Sequence, residues 1–212
     1  MRAASTMLRT IVKSSLALFF LACLGFGPLA QAADAQIRSP NHHPQYAVEL
    51  DPHLVLQWTN QPFWNDDGVG VGIRLSIPVL ANGPIPSINN NLAIGFGLDW
   101  AHFDGCGPYG DVCGSDSFIF PLVVQWNFFI TNWLSLFPEL GIAIEHARLG
   151  WEGAIPARCV RVNGVDVCRS GASHTYVELA LWLGARFAIS NNIAFTLRLG
   201  TPSILIGVAF LL

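Results

Sequence analysis
Apolar residues recur at every second position along most of the chain. Val69, Val71, Ile73, Leu75, Ile77 and Val79 alternate with Gly70, Gly72, Arg74, Ser76 and Pro78. Leu92, Ile94, Phe96, Leu98 and Trp100 alternate with Ala93, Gly95, Gly97 and Asp99. Phe118, Phe120, Leu122, Val124, Trp126 and Phe128 form a third set, and Val177, Leu179, Leu181, Leu183, Ala185 and Phe187 a fourth. Weaker alternation runs through Leu54–Trp58, Leu134–Ile144, Ile193–Leu199 and Ile204–Leu212. Period two is the signature of a strand, whose successive side chains point to opposite faces. The pattern predicts eight strands, at 53–59, 68–80, 92–102, 117–129, 133–147, 175–188, 193–200 and 203–212.

Most of these strands are longer than the five or six residues typical of a soluble sheet, and they match the ~9–11 residues needed to cross a bilayer at barrel tilt. Composition points the same way. Of 212 residues, 52% are apolar and only 12% charged, with a mean hydropathy of +0.45. A soluble domain carries about a quarter of its residues as charged ones, so there is too little charge here to cover an aqueous exterior. Turning the alternation outward resolves this: bulky apolar side chains meet lipid, and small or polar ones line the inside. Backbone groups in lipid must all be paired, so the sheet must close on itself. The expected fold is an all-β, closed, up-and-down, eight-stranded antiparallel transmembrane β-barrel over 46–212.

Residues 1–32 read as a cleaved signal peptide. Arg2, Arg9 and Lys13 precede the apolar stretch Leu16–Leu24, and Ala30-Gln31-Ala32 is a small-x-small cleavage site. Gly25, Gly27 and Pro28 interrupt the apolar run short of a span, which disfavours a retained anchor. Cys23 is a poor lipidation site after Phe20-Leu21-Ala22. Residues 33–45, with His42-His43-Pro44, read as a flexible lead-in. Without the leader the chain keeps eight arginines and no lysine against fourteen carboxylates, a net charge of −6. That balance excludes a nucleic-acid partner, which requires a basic face.

The exported part also keeps four cysteines, Cys106, Cys113, Cys159 and Cys168. An even number in an exported chain indicates disulfides, with three connectivities available. The pairing of neighbours, Cys106 with Cys113 and Cys159 with Cys168, is favoured because each pair shares one turn-rich loop. The spacings are too wide for a zinc-binding pair.

Connection lengths orient the barrel. Thr131-Asn132 and Ser190-Asn191-Asn192 are tight turns, whereas 103–116 and 148–174 are long and hold the cysteines. Short periplasmic turns, long external loops and periplasmic termini follow. The link 81–91 is long for a periplasmic turn, and Gly200-Thr201-Pro202 is short for an external one. The first strand is short unless it starts near Tyr46, with Pro52 as a kink, and Pro121 and Pro138, which cannot donate to a ladder, suggest bulges. Aromatics fall at both expected interfaces: Trp58, Trp100 and Phe118 outside, and Phe128, Trp133, Phe187, Phe195 and Phe210 towards the periplasm.

In this pattern the chain resembles the small eight-stranded outer-membrane barrels of the OmpA/OmpX type, over about 46–212. The resemblance implies a bacterial outer-membrane location, lipid as surroundings and the barrel-insertion machinery as a partner. Such barrels commonly end in an outward-facing aromatic residue, and here the final residue is Leu212.

The inward positions carry Arg74, Asp99, Glu139, Glu145, Glu178, Arg186 and Arg198, with Gln57, Gln125, Asn127 and Tyr176. Four acids and three arginines inside one small barrel should pair, because an unpaired buried charge is costly. That makes a polar plug the leading reading. Gly70, Gly72, Gly95 and Gly97 thin one wall, which favours a narrow solute channel, but Phe137, Tyr176 and Trp182 are placed to fill the same space. Gly68-Val69-Gly70-Val71-Gly72 is not a phosphate loop, since no helix follows it.

His102, His146 and His174 lie near the external ends of the third, fifth and sixth strands, with Glu145 and Ser173 beside the last two. They suggest a lipid A-modifying Ser–His site as a third alternative, although neighbours on one strand face opposite ways. Among the external loops, Asp104, Asp111 and Asp116 make the second acidic, while the third carries Arg148, Arg158, Arg161 and Arg169 against Glu152 and Asp166. Those arginines suit lipopolysaccharide phosphates or another anionic partner. Trp151, Phe63 and Trp64 add aromatic area to the loops. The reading is a non-enzymatic structural or surface-interaction barrel without a cofactor.

Overall fold
The computed structural model describes residues 36–58, 67–106, 113–149, 160–162, 165–167 and 173–212. The strands are β1 (Glu49–Trp58), β2 (Asp67–Leu80), β3 (Asn90–Cys106), β4 (Cys113–Phe129), β5 (Leu134–Leu149), β6 (Val160–Val162), β7 (Val165–Val167), β8 (Ser173–Ala188), β9 (Ile193–Thr201) and β10 (Ser203–Leu211). Eight of them close into one barrel in the order β1-β10-β9-β8-β5-β4-β3-β2, and every neighbouring pair is antiparallel. The other two, β6 and β7, form a separate small hairpin between β5 and β8, which the alternation had not revealed.

The outward face is an apolar belt. Leu140, Leu179, Leu183, Leu122 and Val71 are each more than half exposed, while their sequence neighbours Glu139, Ala180, Trp182, Val123 and Gly70 are buried. Such a surface requires hydrocarbon around it, so the closed sheet is a transmembrane barrel. At the end that carries the short turns, Trp133 and Phe187 stack at 6.2 Å, and Phe187 meets Phe195 at 6.3 Å.

Three sequence expectations change. The first strand starts at Glu49 rather than 53, and Pro52 lies inside it, paired with Ile73 without a break in register. Pro121 and Pro138 produce no bulge. The β3 ladder skips the Pro121 position between Phe96–Leu122 and Asp99–Ile119, and the β4 ladder passes from Gln125–Glu139 to Phe128–Leu136 around Pro138. A missing donor thus costs local ladder pairs, while long flanking ladders hold the register. The irregularities fall instead between Pro78 and Leu80 and between Phe103 and Cys106.

The stretch 36–48, which overlaps the segment 33–45 read as a flexible lead-in, is tied to the end of the barrel that carries the short turns. Asn89 N donates to Ile37 O at 2.8 Å, and the His43 ring stacks on Phe129 at 4.3 Å with its Nδ1 2.7 Å from Asn89 Oδ1. The backbone of Ala47 and Val48 pairs with the C-terminal Leu212. The long link 81–91 is anchored too: Asn90 Nδ2 donates to the carbonyls of Ile85 and Ile88 at 2.7 and 2.8 Å, and Trp126 Nε1 donates to Asn90 Oδ1 at 2.9 Å.

Candidate functional site
The inward side chains form three layers. The layer nearest the short turns is ionic. Arg74 Nη1 donates to Glu139 Oε2 at 3.0 Å, and Arg198 Nε donates to Glu139 Oε1 at 2.9 Å. Arg198 also holds Asp51, and Arg186 holds Glu49. His53 Nε2 lies 2.8 Å from Asp99 Oδ1, and Arg74 Nη2 lies 3.7 Å from Asp99 Oδ2. The Gln125 amide sits 2.8 Å from both Ser76 Oγ and Asn127 Oδ1. All these groups are buried.

Aromatic rings support the arginines. The guanidinium of Arg74 lies 5.0 Å from the Trp182 ring centre, and those of Arg186 and Arg198 lie 5.0 and 5.1 Å from the Phe137 ring centre. Glycine makes room for this crowd: a Cβ at Gly72 would come within 2.3 Å of Asp99 Oδ1 and 2.5 Å of His53 Nε2, and one at Gly184 within 2.1 Å of the Phe137 ring. Gly72 and Gly184 therefore make room for side chains reaching over from other strands.

The middle layer is apolar, built by Val55, Ala101, Phe103, Ile119, Val123, Ala143, Ala180, Trp182 and Leu205. The layer nearest the long loops holds Glu145 and Glu178, with Ser117 and Gln57. Ser117 Oγ donates to Glu145 Oε1 at 2.6 Å, and Gln57 Nε2 lies 3.4 and 3.5 Å from the two oxygens of Glu145.

The seven charged residues expected inside thus divide. Arg74, Asp99, Glu139, Arg186 and Arg198 share one network, whereas Glu145 and Glu178 have no arginine partner among the described residues. The carboxylates that take their place are Glu49 and Asp51, joined by His53. Sequence reasoning left out Glu49 and Asp51 because it ran the first strand over 53–59, with a start near Tyr46 only as the alternative, and it left out His53 although that strand contains it. Their spacing was the available signal: 49, 51, 53, 55 and 57 continue one inner face, opposite Leu50, Leu54, Leu56 and Trp58.

At the end that carries the long loops, β3, β4, β5 and β8 outrun the others. The β8–β9 ladder ends at Leu181–Thr201 and the β2–β3 ladder at Val69–His102, while β4–β5 continues to Ser115–Leu149 and β5–β8 to Arg148–Ser173. Four strands therefore rise as a projecting sheet. Its outward face carries the exposed Arg148, with its guanidinium 5.8 Å from the Phe118 ring centre. His146 Nδ1 lies 2.8 Å from Thr175 Oγ1, and Asp116 Oδ1 lies 2.9 Å from His102 Nδ1 and 3.1 Å from Trp100 Nε1.

The histidines are not gathered into one site. His102 and His146 keep separate outward partners, His174 stacks on Tyr176 at 5.7 Å, and Glu145 turns inward to Ser117. Backbone register sets Cys106 opposite Cys113. Cys159, Cys168, Arg158 and Arg169 lie outside the described residues, and Arg161 falls on β6 opposite Asp166. The leader, residues 1–32, and the loop aromatics Phe63, Trp64 and Trp151 also lie outside them.

At the short-turn end, burial holds the His43 imidazole below the ordinary histidine value, and the Asn89 hydrogen bond partly offsets this.

No family model matches the chain, and no curated protein matches it in sequence. Among solved structures it is similar to Ail, the attachment invasion locus protein of Yersinia pestis, crystallised with the heparin analogue sucrose octasulfate. The identity is 12% and the TM-score 0.47, over 77% of this chain and 95% of that one. A second crystal structure of Ail matches at 10% identity and a TM-score of 0.46, over 79% and 98%. The chain has the architecture of the small OmpA/OmpX-type barrels.

Proposed function
We propose that this chain is a non-enzymatic barrel of the bacterial outer membrane, reached through a cleaved leader and the barrel-insertion machinery. Its projecting sheet contacts phosphate groups of lipopolysaccharide. The observation that carries this reading is the placement of Arg148. It faces outward at the external limit of the apolar belt, braced on Phe118, with Asp116 opposite it in register but engaged with His102 and Trp100, and it makes no ion pair among the described residues. A guanidinium at that level meets lipid head groups, and its fork suits a phosphate. Arg158, Arg161 and Arg169 of the third loop would extend the same contact.

The ionic layer, the apolar layer and the rings of Trp182 and Phe137 support a filled lumen over a channel. The inner network is then structural, holding the strands that carry the external sheet. The test is binding of purified, refolded barrel to lipopolysaccharide in detergent. Replacing Arg148 together with the three loop arginines by glutamine should weaken binding at least tenfold. Unchanged binding by the quadruple variant would overturn the reading.

A further inference from the structure
On the outer face of the projecting sheet, register sets Asp116 of β4 directly opposite Arg148 of β5. Side chains so placed stand about 5 Å apart at Cβ, and opposite charges there ordinarily pair. These two do not. Asp116 leans the other way, towards β3, where His102 Nδ1 lies 2.9 Å from its Oδ1 and Trp100 Nε1 donates to the same oxygen at 3.1 Å. His102 is the register partner of Asp116, and Trp100 precedes it by two residues on the same face. Arg148 meanwhile keeps its guanidinium 5.8 Å from the Phe118 ring centre and makes no ion pair among the described residues.

The energetics explain why β3 holds the carboxylate. The side chains of His102 and Asp116 are 43% and 41% exposed, so water screens any ion pair at this level. An exposed Asp–Arg pair is weak, partly because a long arginine chain gives up much rotamer freedom to form it. Two ring donors on short side chains meet one oxygen with less to lose. The balance between the two arrangements is therefore small, and the donors of β3 decide it.

We propose that His102 and Trp100 are positioning residues for the phosphate contact: by holding Asp116 towards β3 they leave Arg148 free for the anion. The inference rests on the lipopolysaccharide reading above and adds the side chains that set the strength of that contact. Without the two donors Asp116 would turn to Arg148, and a phosphate would have to displace a carboxylate before binding. A neutral His102 ring holds Asp116 through its N–H as a protonated one does, so the arrangement needs no change of charge.

The experiment measures lipopolysaccharide binding to refolded full-length barrel in detergent. It compares wild type, Trp100→Phe with His102→Phe, Asp116→Asn, and all three substitutions together, with the gel shift on heating as the check of folding. Removing the two donors should weaken binding about threefold, the scale of one new exposed ion pair. Adding Asp116→Asn should restore it in that background and help wild type less. No loss on removing the donors, or equal gains from Asp116→Asn in both backgrounds, overturns the proposal. A second readout is independent of lipopolysaccharide. The Arg148 Nε–H NMR signal, assigned by its loss in Arg148→Gln, should move when the donors are removed and return when Asp116→Asn is added. A signal that stays in place overturns the proposal even where lipopolysaccharide binds. Lipopolysaccharide that binds none of these chains overturns the phosphate reading and the proposal's role in it, while the signal still shows which way Asp116 turns.

Discussion

Arg198 Nε donates to Glu139 Oε1 at 2.9 Å, joining β9 to β5 inside the barrel with both side chains fully buried. Arg74 of β2 closes on the other oxygen of the same carboxylate at 3.0 Å. Glu139 is therefore the hinge between two arginines that would otherwise be buried without their shared counter-charge.

Removing that charge should be expensive. Breaking a buried pair by deleting one partner costs about 3–5 kcal/mol, since the other charge stays buried and uncompensated. Glu139→Ala should lower stability by that order in urea unfolding of the barrel in lipid vesicles. A loss below about 1 kcal/mol would mean that water reaches the layer and screens it.

Gly72 should resist even the smallest side chain. A Cβ there meets His53 and Asp99 on one side of the network, and overpacking costs about 1–3 kcal/mol. Gly72→Ala should therefore destabilise the barrel in the same assay, and adding His53→Ala should recover part of the loss by opening the space. Additive losses in the double variant would show that the glycine has another role.

The apolar belt makes a depth prediction. Leu140 is paired with Leu181 and is 56% exposed to the surroundings. An arginine near the bilayer midplane costs roughly 2–4 kcal/mol, and one near the interface roughly 0–1. Leu140→Arg should fall in the first range and Thr175→Arg, at the external boundary, in the second. Equal costs would place the belt elsewhere.

His43 gives the strap 36–48 a pH dependence. Because its folded value lies below the ordinary 6.5, the neutral imidazole is the form that docks. The stabilisation is fully present above 6.5 and is lost as pH falls through the lower folded value. Hydrogen exchange of 36–48 should accelerate on acidification below 6.5, beyond the intrinsic pH effect, and His43→Phe should remove the dependence while keeping the stack on Phe129. A strap equally protected across that range would exclude His43 as its titrating contact.

The cysteines are testable by mass. Cys106 and Cys113 face each other across β3 and β4 in register, which suits a local bridge. Peptide mapping after alkylation without reductant should join 106 to 113 and 159 to 168. Cross-loop links would instead tie the second external loop to the third.

The alternation by itself determined the eight barrel strands, the face each turns to lipid and the order of short and long links. Strand identity and facing are local, set by a side-chain period of two that any strand must express. The sequence also carried the inner positions of Arg74, Asp99, Glu139, Arg186 and Arg198. What it could not carry is which acid meets which arginine. Glu139 reaches Arg74 and Arg198 through the lumen, over separations set by how every strand is staggered against the next. The same stagger leaves Glu145 and Glu178 above the apolar layer, away from the charges they were expected to meet. It also lets β3, β4, β5 and β8 rise beyond the short β9–β10 hairpin. Ion pairing and projection depend on closure and register, which belong to the whole sheet and not to any one strand.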